Sequence, residues 1–78
     1  MAQQRQATIK EVVADALAWV RRYRGVAVVY RETDGTITFA DLFDWCDESG
    51  GDESNVIARV AYPQNNAMAD AKVYYLDR

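Results

Sequence analysis

The chain has 78 residues, a formal net charge of −3, no histidine, one cysteine and one proline. This length allows one small domain, and the apolar half of the composition excludes a disordered polar tail. The lack of histidine excludes the common catalytic triads and the usual zinc sites.

A helix is the first predicted element, over residues 8–24. It begins with Thr8 and Glu11, whose spacing matches a capping box, in which each side chain satisfies one free backbone amide. Gly25 is predicted to end the helix as a left-handed cap. Apolar residues recur along this segment at helical spacing: Ile9, Val12, Val13, Ala16, Trp19, Val20 and Tyr23.

A β-hairpin is predicted next, because β-branched and aromatic residues dominate residues 26–32 and 36–40. The Asp-Gly pair at 34–35 is a strong signal for a two-residue turn between the two strands. Such a turn pairs Tyr30 with Phe39 and gives the hairpin one apolar and one polar face.

A short second helix follows, with Asp41 as its cap and residues 42–48 as its body. Within it, Cys46 has apolar neighbours and is expected to pack as a small hydrophobe. Two further strands are predicted over residues 55–62 and 72–76.

These elements predict an α+β fold, with one N-terminal helix packed on a four-stranded antiparallel sheet and a short second helix between strands 2 and 3. Residues 1–7 are expected to be a disordered tail, and residues 8–78 a single domain. The apolar runs are too short to span a membrane, no secretory signal is recognisable, and a lone cysteine cannot form an internal disulfide. We therefore expect a cytoplasmic protein.

Charge is distributed unevenly along the chain. Residues 1–31 hold six Lys or Arg against two acids, residues 32–53 hold eight acids and no base, and residues 54–78 hold three bases against two acids. A patch of one sign suits docking on a surface of the opposite sign. The predicted partner-binding residues are the acids of segment 41–53 and one aromatic: Asp41, Asp44, Trp45, Asp47, Glu48, Asp52 and Glu53.

Other segments of the chain suggest alternative functions. Arg21, Arg22 and Arg24 form a candidate surface for nucleic acid or for pairing with acids, although the acidic block would repel a polyanion. The acids do not follow the spacing of a helix-loop-helix calcium loop, so no metal or cofactor is predicted. Strand 72–76 is a candidate for homodimerisation through its edge. No catalytic residue is predicted, because neither Ser49, Ser54 nor Cys46 has a histidine to activate it.

The favoured function is a small non-enzymatic interaction or inhibitor module that docks segment 41–53 on a basic partner, such as a nucleic-acid-binding protein. In size and charge the chain is similar in type to phage and mobile-element inhibitors, including anti-CRISPR proteins and nucleic-acid mimics. That likeness is an analogy of size and charge and is carried by no motif.

Overall fold

The computed structural model describes residues 7–50, 53–65 and 68–76. Its elements, in chain order, are the helix α1 (Ile9–Tyr23), the strands β1 (Ala27–Arg31) and β2 (Ile37–Asp41), the helix α2 (Leu42–Ser49), a 3-10 turn (Glu53–Asn55) and the strands β3 (Val56–Ala61) and β4 (Lys72–Tyr75). The strands form one antiparallel sheet in the order β2-β1-β3-β4. The predicted fold class is therefore confirmed. Apart from Ala7, the predicted tail lies outside the described residues.

The start of α1 is the predicted capping box. The Glu11 amide donates to Thr8 Oγ1 at 3.2 Å, and the Thr8 amide donates to Glu11 Oε1 at 3.4 Å. The end of α1 differs from the prediction, because Arg24 and not Gly25 takes the left-handed conformation, with φ 56°. Gly25 has another use, since a Cβ there would lie 2.9 Å from Trp19 Cη2.

The hairpin between β1 and β2 has a three-residue loop, so the predicted two-residue turn is wrong. The Glu32 backbone carbonyl accepts from the Gly35 amide at 2.9 Å, and the Glu32 amide donates to the Thr36 carbonyl at 2.8 Å. Arg31 therefore pairs with Ile37, one position away from the predicted register. A shift of one residue exchanges the two faces of a strand, so Phe39 pairs with Val29 and faces α1.

Each helix packs on one face of the sheet. Beneath α1 lies the main core, a valine- and alanine-rich cluster: Val12, Val13, Ala16, Val20, Ala27, Val29, Ala58, Val60 and Ala71. A second, smaller cluster on the opposite face joins Val28, Trp45 and Val56. The sheet is thus a middle layer, with α1 on one face and α2 on part of the other.

The described helices are short: none has both the length and the apolar character that crossing a membrane requires.

Candidate partner-binding surface

The position of α2 is set by its first residues. Asp41 is the last residue of β2 and the N-cap of α2, and its Oδ1 accepts from the Phe43 amide at 2.8 Å. The Leu42 amide donates to the Val26 carbonyl at 2.9 Å, which ties the helix start to the chain entering β1. These bonds hold α2 against the sheet face opposite α1. There the Trp45 side chain packs in the second core cluster.

Trp45, which was predicted to contact a partner, is only 5% exposed and packs against Val28 and Val56. Phe43 is the exposed aromatic of this helix, at 78%. The physical reason is helical spacing: Leu42 and Trp45, three residues apart, define the face turned to the sheet. Cys46 stands four residues after Leu42, yet it is exposed, so the expectation that it packs in the core is wrong.

Three of the predicted acids share the exposed side of α2. Asp44, Asp47 and Glu48 are all exposed and stand at i, i+3 and i+4, the spacing that places side chains on one helical face. They lie next to Phe43, so this surface combines one large apolar side chain with three carboxylates.

The other predicted acids are separated from this group. Asp41 is half-buried and engaged as the cap of α2. Glu53 lies in the 3-10 turn, with its Oε1 3.8 Å from Nη2 of Arg59 on β3. Asp52 lies outside the described residues.

The structure adds acids from the β1–β2 loop. A shallow depression of about 480 Å³ lies between that loop and the end of α2, with Glu32, Asp34 and Glu48 among its lining residues. Its aromatic lining is Tyr30 and Trp45, and the remaining residues around it are Arg31, Thr33 and Asn55. Segment 41–53 alone did not include Tyr30, Glu32 or Asp34. Glu32 and Asp34 do belong to the longer acidic run without a base, residues 32–53, which was the signal in the sequence that could have identified them.

The pKa values of two residues that line the depression, Tyr30 and Asp34, are shifted by their surroundings. Burial raises the pKa of Tyr30, and the charges of Glu48 and Glu32 raise it further. The pKa of Asp34 is lowered, because its Oδ1 accepts from the Thr36 amide at 2.9 Å. Asp34 therefore stays ionised to lower pH than an ordinary aspartate, and Tyr30 stays a neutral hydrogen-bond donor.

The arginines at the end of α1 are engaged within the protein. Arg21 makes a bidentate contact with Asp70, with Nε 3.1 Å from Oδ1 and Nη2 2.8 Å from Oδ2, and this partner raises the pKa of Arg21. The guanidinium carbon of Arg24 lies 4.3 Å from the centroid of the Tyr62 ring. That of Arg22 lies 5.5 Å from the Tyr23 centroid. Each arginine thus has its own contact.

Within the described ranges, no three His, Cys, Asp or Glu side chains are grouped so that they could hold a metal ion. The chemistry that this surface offers is charge and apolar contact: carboxylates, one exposed phenylalanine and a neutral phenol.

The chain matches no protein-family model, no curated protein and no solved structure.

Proposed function

We propose that the protein is a non-enzymatic binding module that docks the acidic side of α2 on a basic protein surface. The observation that carries this proposal is the convergence of carboxylates from two elements. Glu48 of α2 meets Glu32 and Asp34 of the β1–β2 loop around one depression, and Asp44 and Asp47 extend the same charge along the exposed side of α2.

Phe43 is the apolar anchor of the proposed interface. Interfaces derive most of their binding energy from a few large side chains that become desolvated, while charged residues around them guide association. Phe43 is 78% exposed and has Asp47 one helical turn away, so it can enter a partner's pocket while lysines or arginines meet the carboxylates.

The chemistry of the proposed partner follows from this surface. Rows of carboxylates have the sign and the acceptor character of nucleic-acid phosphates, so a lysine- and arginine-rich surface that normally holds nucleic acid would also fit α2. The proposed action is occlusion of that surface, by the same principle as inhibitors of phages and mobile elements.

The proposed location is the cytoplasm. Cys46 is exposed, and an exposed lone thiol is suited to a reducing compartment, where intermolecular disulfides do not accumulate.

A direct test compares charge-neutralised variants. In Asp44→Asn/Asp47→Asn/Glu48→Gln, three carboxylates of α2 become amides. Binding of a short arginine-rich peptide, followed by calorimetry, should weaken by about 3- to 100-fold, because each of the three exposed ion pairs contributes about 0.2–1 kcal/mol. Wild-type binding should also fall steeply as salt rises from about 50 to 500 mM.

The matched control changes net charge by the same amount on the exposed side of α1. Ala14→Lys/Asp15→Asn/Ala18→Lys alters three exposed residues and raises the net charge by three, as the α2 variant does. It should keep most of the wild-type affinity. Equal losses in both triple variants would mean that net charge and not the α2 surface attracts the peptide, and the proposal would fail.

A second arm looks for the natural partner. Wild type, the α2 variant and the α1 control are each used to capture proteins from the native host. A protein retained by wild type and control but lost with the α2 variant, and then bound directly as a purified protein, supports the proposal. If every purified captured protein binds all three forms equally, the α2 surface is not the docking site.

A further inference from the structure

β4 is an edge strand whose exposed surface, apart from Lys72, is formed by large hydrophobic side chains. Among the described residues it pairs with β3 alone, and Tyr74, Tyr75 and Leu76 are 44%, 62% and 40% exposed. These three consecutive residues are half of the six exposed large hydrophobic residues in the described part of the chain. The other edge strand, β2, contributes none to that group. An exposed edge with apolar side chains favours the addition of another strand.

The backbone of β4 has a defined outward side. The Leu76 amide donates to the Ile57 carbonyl of β3 at 3.0 Å. In an antiparallel ladder, alternate residues direct both backbone groups to the same neighbour. Tyr74 and Lys72 therefore face β3, and Val73 and Tyr75 direct their N–H and C=O groups away from the sheet.

A groove adjoins this edge on the sheet face opposite α1. Its volume is about 650 Å³, and it is bordered by Leu42 at the start of α2. Tyr74 and Leu76 form its outer wall, and its lining is mainly apolar: Val26, Leu42, Ala61, Tyr62 and Pro63, with Glu53, Arg59 and Gln64. A strand added to β4 would extend the wall of this groove.

We propose that the added strand is β4 of a second copy of this chain, related by a two-fold axis at Tyr74. Val73 then pairs with Tyr75 of the second copy, and Tyr75 with its Val73. Both pairs use the outward backbone groups, so each contributes two hydrogen bonds. The two copies of Tyr74 form the central pair, with Cβ atoms about 5 Å apart. The result is one continuous sheet of eight strands, since each copy supplies four.

The distribution of charge permits this pairing. Lys72 is the one charged residue of β4, and in this register it lies opposite Leu76 of the second copy. The two lysines are then separated along the strands by about 13 Å, four residues at about 3.3 Å each, which exceeds the Debye length of about 8 Å in physiological salt. Arg59, the cross-strand neighbour of Tyr74, lies three strand spacings, about 14 Å, from its counterpart.

The small contact predicts a weak dimer. Stable dimers cover about 800 Å² on each partner, and one four-residue strand with three partly exposed side chains supplies less. We expect a dissociation constant on the order of 100 µM. This association is independent of the proposed docking function, because the acidic surface uses α2 and the β1–β2 loop and leaves β4 free.

Sedimentation equilibrium from about 10 µM to 1 mM, a range that brackets this constant, tests the proposal. Wild type should shift from monomer to dimer. Tyr74→Lys places like charges opposite each other at the two-fold axis and should weaken the dimer at least about 10-fold. The matched control is Tyr23→Lys, because Tyr23 on α1 is similarly exposed, at 60%, and its replacement adds the same charge. It should leave the constant within about 2-fold of wild type.

A second variant and a backbone measurement complete the test. Tyr75→Pro removes an outward N–H that β3 does not use, so it should abolish the dimer and keep the monomer fold, checked by circular dichroism. In wild type, amide hydrogen exchange at Val73 and Tyr75 should slow as concentration rises. A monomer at 1 mM, or a dimer that withstands both Tyr74→Lys and Tyr75→Pro, would overturn the proposal.

Discussion

Gly25 is needed to leave room for the Trp19 side chain, and not as the helix cap that its position in the sequence predicted. Its place after the predicted helix indicated a left-handed cap, yet Arg24 takes that conformation. What Gly25 provides is space: a Cβ there would lie 2.9 Å from Trp19 Cη2 and 3.0 Å from its Cζ3. Trp19 packs against the core cluster and lies 6.4 Å from the Phe39 ring, between centroids, so its rigid ring has little room to move.

We expect Gly25→Ala to destabilise the protein by about 1–3 kcal/mol, the usual cost of overpacking. The added methyl must displace either the Trp19 ring or the backbone between α1 and β1. Urea unfolding measures the change in the free energy of unfolding.

A double-mutant cycle identifies the cause. In a Trp19→Phe background the outer ring atoms are absent, so Gly25→Ala should cost markedly less. An equal cost in both backgrounds would show that the backbone conformation, and not contact with Trp19, excludes a side chain at residue 25.

Among the elements, the β1–β2 hairpin decides which residues reach the core. The Asp-Gly pair predicted a turn at the correct place, but the loop contains one residue more, with Gly35 at φ 90°. The Thr36 amide donates to the Asp34 carboxylate at 2.9 Å, which holds the loop in this form. That extra residue moves Ile37 and Phe39 to the face covered by α1.

Gly35→Ala should destabilise the protein by about 1–2 kcal/mol, because a side chain is strained at positive φ. No atom lies within 4 Å of a Cβ built there, so strain and not a clash is the cause. Thermal unfolding followed by circular dichroism measures the loss.

Gly35→Asn is the matched variant, since asparagine tolerates left-handed conformations better than alanine does. It should retain more of the stability. Should alanine and asparagine prove equally harmless, the positive φ at residue 35 would not be a requirement of the hairpin.

For the whole molecule, Arg21 and Asp70 connect the end of α1 to the segment that leads into β4. Their side chains are about half exposed, at 51% and 62%, so the pair contributes little to stability at neutral pH. Its effect is seen in acid. The Arg21 contact and the Ala71 amide lower the pKa of Asp70, and the Thr36 amide lowers that of Asp34.

Stability should therefore fall in acid. A carboxylate whose folded pKa is depressed stabilises the fold above its unfolded pKa, about 3.8, and this stabilisation is lost as pH falls through the lower folded value. Asp70→Asn should make the decline shallower, as measured by the urea midpoint between pH ~7 and ~2.

The matched control for this pH series is Asp15→Asn, which removes an exposed carboxylate from α1 and leaves the Arg21–Asp70 contact intact. If Asp70→Asn and Asp15→Asn gave the same pH profile as wild type, the Arg21–Asp70 contact would have no part in the acid response.

Local signals in the sequence were sufficient to predict the elements. The capping box at Thr8, the change from helical to strand-like composition at residue 26 and the Asp41 cap each depend on residues close together in the chain. Side-chain placement in α2 was harder to predict. Trp45 was predicted to contact a partner and Cys46 to pack inward, and the way α2 lies on the sheet instead buried the indole and exposed the thiol.

The sequence by itself determined the α+β class, the order of helices and strands, and the concentration of acids in residues 32–53, because these properties depend on local spacing and composition. Only the tertiary structure decided the hairpin register, the union of Glu32 and Asp34 with Glu48, the pairing of Arg21 with Asp70, and the exposure of the β4 edge. These features join residues that are distant in the chain. They arise when α1 and α2 pack on opposite faces of one sheet, which no local pattern specifies.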